Sequence, residues 1–173
     1  DLALHVYRTE LLKAGVTLSD VTRQVVTKLG IEHDIWPITN DRVPTTIEVP
    51  GEKLAFQEYF VRERCEPVVK GFSFEGADQA AINPIILQFV ENNPVDGIVI
   101  CPSNPYISID PVLAVGEIRN IFKELDAPVI AISPIIAGQA IKGPTAKIMQ
   151  ELDIPNSATA VAAHYRDVLD GFV

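Results

Sequence analysis

The chain has 173 residues, 47% hydrophobic and 21% charged, with 10 Gly and 13 Pro, which suits one globular core and excludes collagen-like and disordered compositions. Its 14 Lys and Arg against 23 Asp and Glu leave a formal charge of -9, which argues against nucleic acid or an anionic membrane as partner and obliges any anionic ligand to meet a local positive site. Cys65 and Cys101 show neither CxxC nor His at metal spacing, so a reduced compartment, the cytoplasm, is expected, and no apolar run approaches the ~20 residues of a membrane span.

In chain order, Leu4, Leu11 and Leu12 with Val6 and Tyr7 predict a helix over Leu2–Ala14, and Gly15 stands where a glycine closes one. Ser19 or Asp20 reads as the N-cap of a second helix carrying Val21, Val25, Val26 and Leu29, with Gly30 at its end. A helical hairpin opens the chain, and its start at Asp1 rather than Met leads to the expectation that it begins inside a longer protein.

Ile35–Ile38 and the β-branched run Thr45–Val49 read as short strands, Pro50–Gly51 as a turn, and Lys53–Glu63 as either strand or helix. Val68–Phe74 reads as a strand and Asn83–Asn92 as a helix on Ile85, Ile86, Phe89 and Val90. Gly97–Cys101 and Pro128–Ile132 are continuous apolar runs, the pattern of strands buried on both faces, with a helix over Pro111–Leu125 between them. Pro144–Leu152 and Ala158–Leu169 read as two more helices, and Phe172 begins another apolar run. The alternation predicts a single α/β domain over residues 1–173, Rossmann-like, a parallel sheet wound with helices, with the helical hairpin and short strands inserted.

Ligands in such sheets bind beyond the carboxyl ends of the strands, so the loops after Cys101 and Ile132 come first. The first packs Pro102, Ser103, Asn104, Pro105 and Ser108 between strand and helix; its short polar groups suit a phosphate or a purine edge, or form no more than a local Asx turn. For Ser103 and Asn104 ligand contact is the preferred reading, whereas Asp110 is read as the cap of the helix at Pro111. In the second loop Gly143 admits a close backbone approach, and Lys142 and Lys147 flank a helix start at Pro144, which favours an anion. Neither GxxxxGK[ST] nor GxGxxG occurs. Phe56 to Pro67 mixes aromatics with paired charges and suits a planar ligand, a partner surface or an amphipathic edge. His5, His33 and His164 show no metal spacing and are assigned no catalysis, and Cys101 is read as core rather than nucleophile.

CPSNPYISIDP at Cys101–Pro111 resembles the G-P-S-N-P-x-x-S-I-x-P loop of 2-phospho-lactate transferases, enzymes that build the tail of a deazaflavin coenzyme. AISPIIAGQAIKGPTAKIM at Ala131–Met149 resembles that family's second loop, and the stretches His5–Thr22 and Phe56–Pro67 also resemble it, in family order. The resemblance implies a Rossmann-like, dimeric enzyme that uses Mg2+ to move a phospho-lactyl, or phosphoenolpyruvyl, group from a guanosine diphosphate conjugate to the deazaflavin Fo, releasing GMP. A ribityl hydroxyl of Fo would attack the β-phosphorus. Residue by residue, Ser103, Asn104 and Pro105 fall on the donor side and Ser133, Gly143 and Lys147 near the phosphates. Thr17 and Ser19, with Phe56 to Phe60, fall toward the deazaflavin or a dimer contact. Cys101 departs from the usual Gly. The family's Gly-Gly-Thr-Gly loop, metal site and Gly-Asp-Arg run have no counterpart in this sequence, so the expectation is a chain that lacks the first βα unit and is inactive alone. A nucleotide-sugar-binding regulator of the same superfamily is the rival; its first loop resembles G-P-G-S-L-Y-T-S, unlike Ser103–Asn104–Pro105.

Overall fold

The computed structural model describes residues 2–140 and 143–173. Lys142, read above as part of a positive site, lies outside the described residues, as do Asp1 and Ile141. Helix α1 (Leu2–Lys13) closes on Gly15 at φ 83°, with Gly15 N–H donating to Leu12 O and Val16 N–H to Leu11 O. Helix α2 (Leu18–Lys28) closes in the same way on Gly30, whose N–H donates to Thr27 O while Ile31 N–H donates to Val26 O. Its start corrects the sequence reading: Thr17, not Ser19 or Asp20, is the cap, its Oγ1 accepting from Asp20 N–H at 3.1 Å. Asp20 thereby falls in the first turn, where a negative charge is favoured.

Strands β1 (Thr45–Val49), β2 (Glu52–Ala55) and β3 (Gly71–Phe74) make an antiparallel sheet in the order β2-β1-β3, in which Ile47 pairs Leu54 on one side and Phe72 on the other. Ile35–Ile38, expected as a strand, joins no ladder. Pro37 has no N–H to give one, and the carbonyls of Pro37 and Ile38 accept instead from Nδ2 (2.9 Å) and N–H (2.8 Å) of Asn83. Asn83 is 1% exposed and also caps helix α3 (Pro84–Asn92), its Oδ1 accepting from Ile85 N–H.

There follow β4 (Ile98–Ile100), α4 (Asp110–Leu113), α5 (Ile118–Glu124), β5 (Val129–Ala131), a small hairpin of β6 (Ile135–Ile136) and β7 (Gln139–Ala140), α6 (Thr145–Glu151), α7 (Ala158–His164) and β8 (Gly171–Phe172). Strands β4, β5 and β8 run parallel in that order with helices in their connections, the Rossmann-like α/β arrangement expected. Two expectations are corrected. The helix predicted over Pro111–Leu125 is broken at Gly116, which sits at φ 45° with its N–H on Ala77 O, and where a Cβ would stand 2.9 Å from Ala80 O. The apolar strands are not buried on both faces, since Val99 is 59% exposed beside Ile100 at 8%.

Both sheets contribute to one core. Ile47, Leu54, Tyr59 and Val69 from the antiparallel side pack in the same cluster as Ile100, Val129, Ala131, Ile148, Met149 and Val161 from the parallel side. Burying each large apolar side chain contributes about 1.5–3 kcal/mol, so this shared core fixes the antiparallel sheet against the ends of β4 and β5. Among the described residues no helix is long and apolar enough to cross a membrane.

Candidate functional site

Beyond β4 the chain enters a wide turn, Pro105–Ile109, in which Ser108 N–H and Ile109 N–H both donate to Asn104 O. Pro105 occupies the first position, where no N–H is required. Asn104 caps the turn: its Oδ1 accepts from Tyr106 N–H at 2.9 Å and Ile107 N–H at 3.2 Å. Those two bonds fix the orientation of the amide, and leave Nδ2 buried with no partner among the described residues, on a residue only 8% exposed. A buried donor left unsatisfied costs about 1–3 kcal/mol, which an acceptor on a ligand would recover.

Asn104 lines a cleft of about 420 Å³ together with Ser103, Ser108, Phe56, Phe60, Pro134 and Gly143, a size in the range of small-molecule sites. The loops after β4 and β5 thus meet in one cleft, with Ser103, Asn104 and Gly143 among its walls and Pro105 buried behind them. Gly143 is at φ 73°, with open space where a Cβ would stand. Phe56 and Phe60 stack at 5.4 Å and 18°, and Phe60 is 43% exposed. This pair is presented by a second wide turn, Glu58–Arg62, in which Arg62 is paired with Glu58 and Glu63 while Tyr59, 0% exposed, roots the turn in the core.

After that turn Arg64 and Cys65 both take left-handed conformations, φ 51° and 59°, which cost about 1–3 kcal/mol each. The segment is held by α6. Lys147 Nζ donates to Pro67 O at 2.9 Å and pairs with Glu151 Oε1 at 2.5 Å, while Glu151 Oε2 accepts from Val69 N–H at 3.0 Å. Burial pushes the Cys65 thiol upward against the opposing pull of Lys147, and pushes the Tyr59 phenol upward as well.

The remaining sequence-derived residues stand elsewhere. Lys147 is engaged as just described rather than lining the cleft. Ser133, buried, spends its hydroxyl on its own loop, donating to Ile135 O at 2.8 Å and accepting from Ile135 N–H at 3.1 Å, and so sets Pro134 against the cleft. Thr17 caps α2, and Ser19 Oγ donates to Asn40 Oδ1 and accepts from Asn83 Nδ2 beside a separate cavity of about 250 Å³. Cys101, read as core, is exposed.

Asp110 is not the cap of a helix at Pro111. It is already the first residue of α4, and its carboxylate oxygens lie 2.8 and 3.0 Å from His164 Nε2. This pair, joining residues 54 apart, was missed because no local spacing announces it. His164 meets Tyr106 edge-on at 5.0 Å, and burial first, then Asp110, raises the Tyr106 phenol to about 12. Among the described residues no three His, Cys, Asp or Glu side chains converge as a metal site.

The 2-phospho-L-lactate transferase CofD family model matches residues 1–173. The 2-phospho-L-lactate transferase of Methanosarcina barkeri is 35% identical over 173 residues, 100% of this chain and 55% of that protein. That of Methanopyrus kandleri is 36% identical over 168 residues, 96% of this chain and 53% of its own length. The phosphoenolpyruvate transferase of Nocardia farcinica is 35% identical across 100% of this chain and 55% of its length. The chain spans about half the length of the curated relatives it matches.

Proposed function

From the premise that this chain belongs to the 2-phospho-L-lactate transferase CofD family, we propose that it forms the donor wall of a cytoplasmic transferase that moves a phospho-lactyl or phosphoenolpyruvyl group from a guanosine diphosphate conjugate to the deazaflavin Fo, releasing GMP. The observation that carries this reading is the buried, unpartnered Nδ2 of Asn104 in a cleft where the two strand-end loops meet. That amide donates to a nucleotide acceptor, the Ser103 and Ser108 hydroxyls donate to phosphate oxygens, and Gly143 lets the ligand approach the backbone. The Phe56–Phe60 pair offers a flat apolar face that excludes water from one side.

No acid or base side chain is among the described residues of the lining, and the role proposed for this wall is to position the donor. The described lining also has no carboxylate. Mg2+ is held through carboxylate and phosphate oxygens, so these residues do not fit the Mg2+ that the resemblance implies. A homodimer belongs to the same reading and is checked by light scattering.

Isothermal titration with GDP, with and without Mg2+, tests the proposal, with a UDP-sugar as control. GDP binding that weakens in Asn104→Ala supports it; preference for the UDP-sugar would replace it with the regulator reading.

A further inference from the structure

Resting on the reading that Asn104 faces the donor, we infer that His164 and Asp110 are positioning residues that hold the Asn104 amide in place through Tyr106 without touching the ligand. Neither side chain lines the cleft. Asp110 directly follows the Pro105–Ile109 turn, and His164 is the last residue of α7, so their bond ties the far end of the turn to a helix outside it. The pair is largely shielded, with side chains 27% and 18% exposed.

Tyr106 connects this tie to the cleft. Its N–H donates to Asn104 Oδ1, so displacement of Tyr106 displaces the amide. Its hydroxyl is buried and finds no hydrogen-bond partner among the described residues, which leaves ring packing to fix the side chain. That packing comes from two sides: Phe72 of β3 stacks on the ring at 5.9 Å and 10°, and His164 meets it at 5.0 Å and 65°. Tyr165 in turn packs against His164 at 5.2 Å. Asn104 and Asp110 bracket the turn, and α7 closes the circuit between them.

Hydrogen exchange at the Tyr106 and Ile107 amides, the two donors to Asn104 Oδ1, reads this arrangement without any ligand. His164→Phe keeps a ring and removes the donor to Asp110. It is expected to speed exchange at those two amides about tenfold relative to the rest of the chain, and to weaken GDP binding about tenfold. His164→Gln, which retains an N–H donor, restores both to within about threefold of the wild type. Val161→Ala, fully buried in the same helix, lowers Tm without singling out those amides. Unchanged exchange in His164→Phe, or the same local pattern in Val161→Ala, overturns the inference. If His164→Phe does not fold, Asp110→Asn, which weakens the bond and keeps the ring, is held to the same outcome. A wild-type protein that ignores GDP would refute the nucleotide reading alone, since the exchange result still decides the role of the pair.

Discussion

Asn104 has two duties that substitution can separate. Its Oδ1 caps a buried turn, and its Nδ2, without a partner among the described residues, is the donor that the proposed function gives to the ligand. Asn104→Ala removes both. Loss of the cap costs about 0.5–2 kcal/mol, which for a chain of this size lowers Tm by about 2–4 °C per kcal/mol. Asn104→Ser keeps an oxygen that can accept from the turn and discards the buried unpartnered donor, so the ligand-free variant is expected to be at least as stable as the wild type. Binding follows the other duty. A neutral hydrogen bond contributes about 0.5–1.5 kcal/mol net, and toward the upper end here because Nδ2 is desolvated before the ligand arrives, so both variants lose about tenfold in GDP affinity. Thermal unfolding and titration calorimetry on the same samples give both numbers. Wild-type affinity in Asn104→Ser with weakened binding in Asn104→Ala would refute the reasoning, because the amide would then matter only as a cap.

Gly116→Ala is expected to destabilise by about 1–3 kcal/mol in chemical denaturation, since it forces a Cβ onto Ala80 O at a positive φ. A loss below about 0.5 kcal/mol would mean that the α4–α5 break adjusts freely. Lys147→Met, which releases Pro67 O and Glu151, should cost about 1 kcal/mol while changing GDP affinity less than about twofold. A tenfold loss of affinity would return Lys147 to the phosphates. Burial raises the phenols of Tyr59, Tyr106 and Tyr165 above the ordinary value, so the neutral forms favour the folded state. Their contribution is complete below pH 10 and is lost above it, for Tyr106 by about pH 12. Phenolate absorbance from these residues should rise together with loss of the far-ultraviolet circular dichroism, and full ionisation of a folded chain below pH 10 would contradict the packing.

Elements with a local cause were legible in the sequence. Gly15 and Gly30 end α1 and α2 as the glycine rule expects, and α3 lies within the helix read over Asn83–Asn92. The breaks came from contacts across the chain: Gly116 gives way to Ala80, and Ile35–Ile38 surrenders its carbonyls to Asn83 instead of a strand. Of the site, the two loops could be found because strand ends are where open sheets bind. Whether a given side chain is free could not be found that way. Lys147 reads as an available cation until Pro67, 80 residues away, takes it, and Asp110 reads as a cap until His164 arrives from α7.

The two asparagines that organise these turns share a neighbour that bears on how the protein ages. Asparagine deamidates chiefly when the backbone nitrogen of the next residue attacks the side-chain carbonyl and closes a five-membered imide, a step that requires that nitrogen to shed a proton. Asn83 and Asn104 are each followed by proline, whose nitrogen has no proton to lose, so the residue that starts the turn also blocks the route by which its cap would become a carboxylate. Asn156, followed by Ser157, has no such shield. Storage should therefore convert Asn156 while leaving both turn caps as amides, and the cleft should keep its neutral donor long after the surface has begun to acquire new negative charge.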